Sequence, residues 1–182
     1  MEEEKLISNK ELELAKKYVE YTNTNIFLTG KAGTGKTTFL KTLKETTSKR
    51  MVIVAPTGVA AINAGGVTIH SFFQVSFGPF VEGEERDKDN KFKISKVKKE
   101  VIRSLDLLVI DEISMVRADL LDAIDYRLRQ LRKDKKFLPF GGVQLLMIGD
   151  LQQLPPVCKD EEWGLLQLRY NPPYFFSSLA LQ

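Results

Sequence analysis

Cysteine and histidine are almost missing from this sequence: its 182 residues hold one of each, Cys158 and His70. A lone thiol excludes an internal disulfide, and one Cys with one His cannot build a Cys/His zinc cage. Also missing is any apolar run near the roughly 18 residues of a membrane helix; the longest are about as long as one buried strand. The acidic start, Met-Glu-Glu-Glu-Lys, leads into no long apolar stretch, so neither a secretory signal nor a transit peptide fits. Charge of one sign is scarce as well. The 27 Lys and Arg against 24 Asp and Glu leave +3, which permits a nucleotide or nucleic-acid partner without demanding one. These absences lead to the expectation of a soluble protein of a reducing compartment with no membrane partner. That means the cytoplasm for a bacterial-type source, and the nucleus or mitochondrion for a eukaryotic one.

What is present is an ordinary globular composition, 43% hydrophobic and 28% charged, sufficient for one core and one domain over residues 1–182. Residues 9–21 read as a surface helix with Asn9 as its cap. Four apolar runs read as buried strands: 25–29, 51–55, 107–110 and 144–148. Helical patterns at 37–49 and 118–133 lie between them, the second placing Arg127, Arg129 and Arg132 on a solvated basic face. Near-continuous apolar strands alternating with helices predict an α/β fold, a mostly parallel sheet with helices on both faces. Residues 76–100 break this pattern with Gly78-Pro79, an acidic cluster and then a Lys-rich run, and read as an insertion projecting from the sheet.

Between the first strand and its helix, Gly30-Lys31-Ala32-Gly33-Thr34-Gly35-Lys36-Thr37 matches G-x-x-x-x-G-K-[ST] at every fixed position. The context is the one this motif needs: backbone amides and a helix N-terminus wrap the phosphates, and glycines admit them closely. Lys36 is then placed to reach the β and γ phosphates, and the Thr37 hydroxyl to hold Mg²⁺. A P-loop also needs an acid at the end of another strand, and Leu107-Leu108-Val109-Ile110-Asp111-Glu112 supplies two. Asp111 serves the metal and Glu112 serves as general base for an attacking water. The guanine-reading pattern Asn-Lys-x-Asp is approached only by Asn90-Lys91-Phe92-Lys93, which lacks the acid, so ATP is the expected nucleotide.

Four segments together go further: residues 27–38 (Phe-Leu-Thr-Gly-Lys-Ala-Gly-Thr-Gly-Lys-Thr-Thr), 55–61 with 68–73 (Ala-Pro-Thr-Gly-Val-Ala-Ala, Thr-Ile-His-Ser-Phe-Phe), 109–116 (Val-Ile-Asp-Glu-Ile-Ser-Met-Val) and 149–157 (Gly-Asp-Leu-Gln-Gln-Leu-Pro-Pro-Val). In this order and spacing they resemble motifs I, Ia, II and III of the Pif family of superfamily 1 DNA helicases. The resemblance spans about residues 9–178 and implies a RecA-like first motor domain driving 5′-to-3′ translocation on single-stranded DNA and unwinding of forked or tailed duplex, as a monomer. It implies that the nucleotide site includes Thr38 and that Gln153 senses the γ phosphate. It also implies that DNA runs over Pro56, Thr57, Gly58, His70, Ser71 and Phe72. Thr57 and Ser71 suit phosphates, and His70 or Phe72 can stack on a base or sit in the core. The insertion falls where the family carries a wedge. Glu13 stands where members often carry an adenine-reading Gln, and the second RecA-like domain with its arginine finger is expected to lie outside these residues. Two other readings keep the P-loop: a small-molecule kinase, and a nonenzymatic nucleotide-dependent DNA-binding module.

Overall fold

Asn9 does cap the first helix, α1 (Lys10–Tyr21): its side-chain oxygen accepts from the amides of Glu11 and Leu12. The computed structural model describes residues 9–31, 33–81 and 94–182. After α1 come β1 (Ile26–Thr29), α2 (Lys36–Thr46), β2 (Met51–Ala55), α3 (Gly58–Asn63), β3 (Val67–Thr68) and α4 (Ile69–Phe73). Then follow α5 (Lys96–Ser104), β4 (Leu107–Ile110), α6 (Ala118–Leu131), β5 (Gln144–Gly149) and α7 (Asp160–Leu166). Among the described residues the strands form one sheet, ordered β1-β5-β4-β2-β3 and parallel at every pairing. The expected α/β fold is therefore present. Among the described residues no helix is long and apolar enough to cross a membrane.

The central strands are buried on both faces, and their alternation sorts the aliphatic side chains into two cores. Leu108 and Ile110 of β4 point with Leu145 and Met147 of β5 into one, which packs α4, α5 and α6 through Phe73, Ile102, Leu121, Ile124 and Leu128. Leu107, Val109, Leu146 and Ile148 point into the other, closed by Ala15 and Val19 of α1 and Phe39, Leu40 and Leu43 of α2.

Two details differ from the sequence reading. The Lys-rich end of the 76–100 excursion is not all excursion: Ser95 caps α5, and residues 96–100 lie in that helix. Residues 82–93 fall outside the described residues. Nor is the basic side of α6 a solvated face. Arg129 pairs with Asp125 at 2.8 Å, and Arg132 at the helix end is only 5% exposed. The Arg132 Nε donates to the Gly141 carbonyl at 2.8 Å, and its Nη1 donates to the carbonyls of Ile102, Arg103 and Leu105 at 3.1, 2.6 and 2.9 Å. One guanidinium thus closes the C-terminal end of α5, where the Ile102 carbonyl also accepts from the Leu105 amide at 3.4 Å. Arg132→Met keeps the stem and strands these carbonyls, at about 1–3 kcal/mol for each one left buried and unpaired. Urea denaturation should show a midpoint lowered by the equivalent of roughly 3 kcal/mol with an unchanged slope.

Candidate nucleotide and nucleic-acid site

Because every strand runs the same way, all the loops leaving their carboxyl ends gather at one edge of the sheet, where open parallel sheets bind their ligands. Thr29 pairs with Gly149, placing the start of the Gly30–Thr37 loop beside Asp150. Val54 pairs with Ile110, and the Asp111 amide donates to the Val54 carbonyl at 2.9 Å, so Asp111 and Glu112 emerge between β5 and the Pro56–Gly58 turn. Ala55 pairs with Thr68, which brings Ile69 and His70 to the same edge.

The Gly30–Thr37 loop wraps on itself. The Thr34 hydroxyl donates to the Lys31 carbonyl at 2.9 Å, and the Lys36 ammonium donates to the same carbonyl at 2.8 Å and to that of Gly30. A Cβ on Gly30 would sit 2.9 Å from the Thr34 hydroxyl, and Gly35, which starts α2, has φ of +88°. Both positions therefore require glycine. Gly33 likewise has positive φ, while Ala32 lies outside the described residues. Thr37 and Thr38 occupy the exposed first turn of α2, where free amides point outward. The first turn of α1 lies alongside, since a Cβ on Gly35 would meet the Leu12 side chain at 3.5 Å; Glu13 is exposed on that same turn.

Asp111 and Glu112 are partly buried at the end of β4. Burial raises the pKa of Asp111, opposed by the Glu112 amide, which donates to its carboxylate at 3.0 Å, and by Lys36. Burial also raises that of Glu112, aided by the negative charges of Asp111 and Asp150 and opposed by Lys36. One cation and three carboxylates therefore share one field. Glu112 has φ of +53°, a left-handed backbone unusual for a side chain of its size, which turns the chain sharply into the 3-10 turn at Ile113–Met115. That turn is wedged against β5: a Cβ on Gly149 would lie 3.1 Å from the amides of both Ile113 and Ser114.

Asp150, in the 149–157 segment, carries no role of its own in the sequence reading. In the fold it is buried, accepts from the Gln152 amide at 2.9 Å and meets the Gln153 side-chain amide at 3.4 Å. It thus joins the candidate sensor Gln153, itself exposed, to the field around Glu112. The readable signal was the repeat of one pattern, an apolar strand ending in a carboxylate, on two strands that prove to be neighbours.

On the β2 and β3 side, Thr57 caps α3 by accepting from Ala60, and Pro56 and Gly58 flank it. Thr68 caps α4, and the exposed Ser71 offers its hydroxyl while its carbonyl accepts from Lys98 and Gln74. His70 stacks on Phe77, with ring centroids 4.4 Å apart; burial and the charge of Arg117 lower its pKa, Asp119 opposing, which favours the neutral ring. Phe72 lies in the core against Phe73, so of the two places open to this ring the fold puts it inside. Any base contact from α4 falls to His70 rather than Phe72.

The residues fit Mg-nucleotide: Gly33 and Gly35 hold positive φ in the loop, and a Cβ on Gly33 would meet nothing within 4 Å, so the backbone there is open to a phosphate. A hydroxyl and one carboxylate, from Thr37 and Asp111, suit Mg²⁺ that takes its remaining ligands from phosphates and water.

Residues 6–164 match the family model described as PIF1-like helicase. The chain is 45% identical over 144 residues to the ATP-dependent DNA helicase PIF1 of Saccharomyces cerevisiae (strain YJM789), which covers 75% of this chain and 16% of that protein. It is 47% identical to Pif1 of Bacteroides sp. in complex with ADP-AlF4, with a TM-score of 0.87 over 96% of this chain and 39% of that one. It is 46% identical to Bacteroides Pif1 bound to ssDNA, with a TM-score of 0.86 over 96% and 39%. The chain therefore spans about a sixth of the yeast protein and two fifths of the Bacteroides chains.

Proposed function

The chain belongs to the PIF1-like helicase family, and from that membership we propose that it is a RecA-like ATPase domain of a DNA helicase motor, coupling hydrolysis of Mg-ATP to 5′-to-3′ movement on single-stranded DNA. The observation that carries this reading is the convergence at one sheet edge of the Lys36 loop, the Asp111–Glu112 pair and Gln153, beside the His70–Ser71 segment.

In this reading the loop amides and the N-terminus of α2 hold the α and β phosphates, and Lys36 exchanges its carbonyl partners for β and γ phosphate oxygens. Thr37 and Asp111 would hold Mg²⁺, which would supply positive charge to the phosphates. Glu112 orients the attacking water and accepts its proton; in the metal-free fold burial, aided by the charges of Asp111 and Asp150, raises its pKa. Gln153, tethered through Asp150, reads the γ phosphate. Thr57, Ser71 and backbone amides take DNA phosphates, with His70 against a base. The ADP-AlF4 and ssDNA complexes of the Bacteroides relatives support a nucleotide and single-stranded DNA as the two ligands. The forked-DNA complex of two coordinating Pif1 helicases supports a forked duplex as the partner, with 46% identity. The 76–100 excursion serves as the wedge, and a second RecA-like domain completes the motor.

ATP turnover measured with and without oligo(dT) tests the proposal. Turnover, however slow in these 182 residues alone, should rise with DNA, and a chain extended by a second motor domain should hydrolyse faster. Phosphate transfer to a small acceptor with no response to DNA would favour the kinase reading instead.

A further inference from the structure

The nucleotide and DNA readings leave one buried charge cluster unused. Arg117 immediately precedes α6 and lies five residues after Glu112. Its Nε and Nη2 grip both oxygens of Asp119 at 2.8 Å, and its Nη1 donates to Glu162 of α7 at 2.7 Å. The Asp119 side chain is 1% exposed, that of Arg117 13% and that of Glu162 22%. A planar guanidinium in a two-carboxylate fork has little freedom, so its two partners move together or the hydrogen bonds break.

Each partner leads to a segment assigned above. Glu162 also accepts from the Lys159 amide at 3.3 Å, which fixes the start of α7 at the end of the stretch that begins with Asp150 and Gln153. Cys158 and Trp163 pack with Ala118, Leu166 and Tyr170, pressing α7 onto the first turn of α6. On the other side, Asp119 accepts from the Phe80 amide at 2.9 Å, where the chain leaves for the 76–100 excursion. The charges of Arg117 and Asp119 both act on His70, whose ring stacks on the exposed Phe77.

We propose that Arg117 is a positioning residue, the joint through which the nucleotide-sensing stretch after β5 is coupled to the DNA-facing segment at His70–Phe80. The coupling rests on the function proposed above. When the stretch at Gln153 shifts, α7 shifts with it; Glu162 draws the guanidinium, and Asp119 carries the Phe80 amide and the surroundings of His70. Arg117 is not among the nucleotide or DNA contacts assigned above.

The test is a linkage measurement on this chain: the affinity of a fluorescent oligo(dT) by anisotropy with and without Mg-ADP-AlF4, and of the nucleotide analogue alone by calorimetry. The wild type should change its DNA affinity at least about fivefold on binding the analogue, the lower end of ordinary allosteric coupling. Glu162→Gln leaves the buried Arg117–Asp119 pair whole. It should bind each ligand alone within about twofold of wild type while the coupling factor falls to near one. Arg117→Lys, which keeps the charge and loses the fork, should behave alike. A contact of merely structural value would move stability and leave the factor in place. Retention of the factor in both variants, or its absence from a wild type that binds both ligands, overturns the joint. Failure of the wild type to bind the nucleotide overturns the ATPase reading itself, and the joint with it.

Discussion

Lys36→Ala is expected to lower Mg-ATP affinity by at least about a hundredfold. The ammonium is the cation that the loop itself holds, bonded to the carbonyls of Gly30 and Lys31, and nothing in the alanine side chain can follow a phosphate. Two charge-assisted hydrogen bonds are worth roughly 1.5–3 kcal/mol each, and each 1.4 kcal/mol is a factor of ten. Thermal unfolding should change little, because the residue is only partly buried and its partners can turn to water. Calorimetric titration reads the result directly; unchanged affinity would remove the phosphate-loop assignment.

Glu112→Gln should leave nucleotide binding near wild type and lower turnover by about 10²–10⁴, the usual share of a general base. The amide preserves length and shape and accepts the left-handed backbone at this position as glutamate does, but it cannot take the proton. Turnover near wild type would move the base elsewhere. The same variant carries a stability signature of definite sign. Because the folded pKa of Glu112 is raised, its ionised form costs the fold free energy, a cost that appears as pH rises through that value and vanishes below the unfolded carboxylate range. In metal-free buffer at pH 7 to 8 the variant should therefore unfold at a higher temperature than wild type, and at pH 3 to 4 the difference should disappear.

The parts of this molecule that were legible in the sequence are those where local pattern and burial coincide. The apolar runs at 51–55, 107–110 and 144–148 are strands because both faces of each are covered, the last extending one residue further to Gly149, and each stops where a polar or turn residue meets the ligand edge. The Gly30–Thr37 loop was legible because its chemistry is fixed by spacing along the chain. Positions defined by distant partners were not. Arg132 carries the charge of a surface residue, yet it is buried because four carbonyls from two other segments converge on it, and no periodicity announces that. Phe72 sits two residues from His70 on a short helix, and only the packing of α4 decides which ring turns inward. Strand β3 is two residues long, too short for any alternation to show. Asp150 could be seen as a strand end but not as a neighbour of Glu112 until the order β1-β5-β4 was known.

The grip of Arg132 on α5 has a mechanical consequence. The chain is tied at Phe80 to Asp119, in the first turn of α6, and α5 is tied at its far end to Arg132, just past the last turn. A helix of 14 residues is about 21 Å long, so Phe80 and the end of α5 are anchored at opposite ends of one stiff beam. Load reaching either anchorage is resisted as torque on the beam, which is bedded along its length in the core through Leu121, Ile124 and Leu128. A pull on Phe80 or on α5 is thus delivered to the sheet as a whole instead of being spent in bending a single tether.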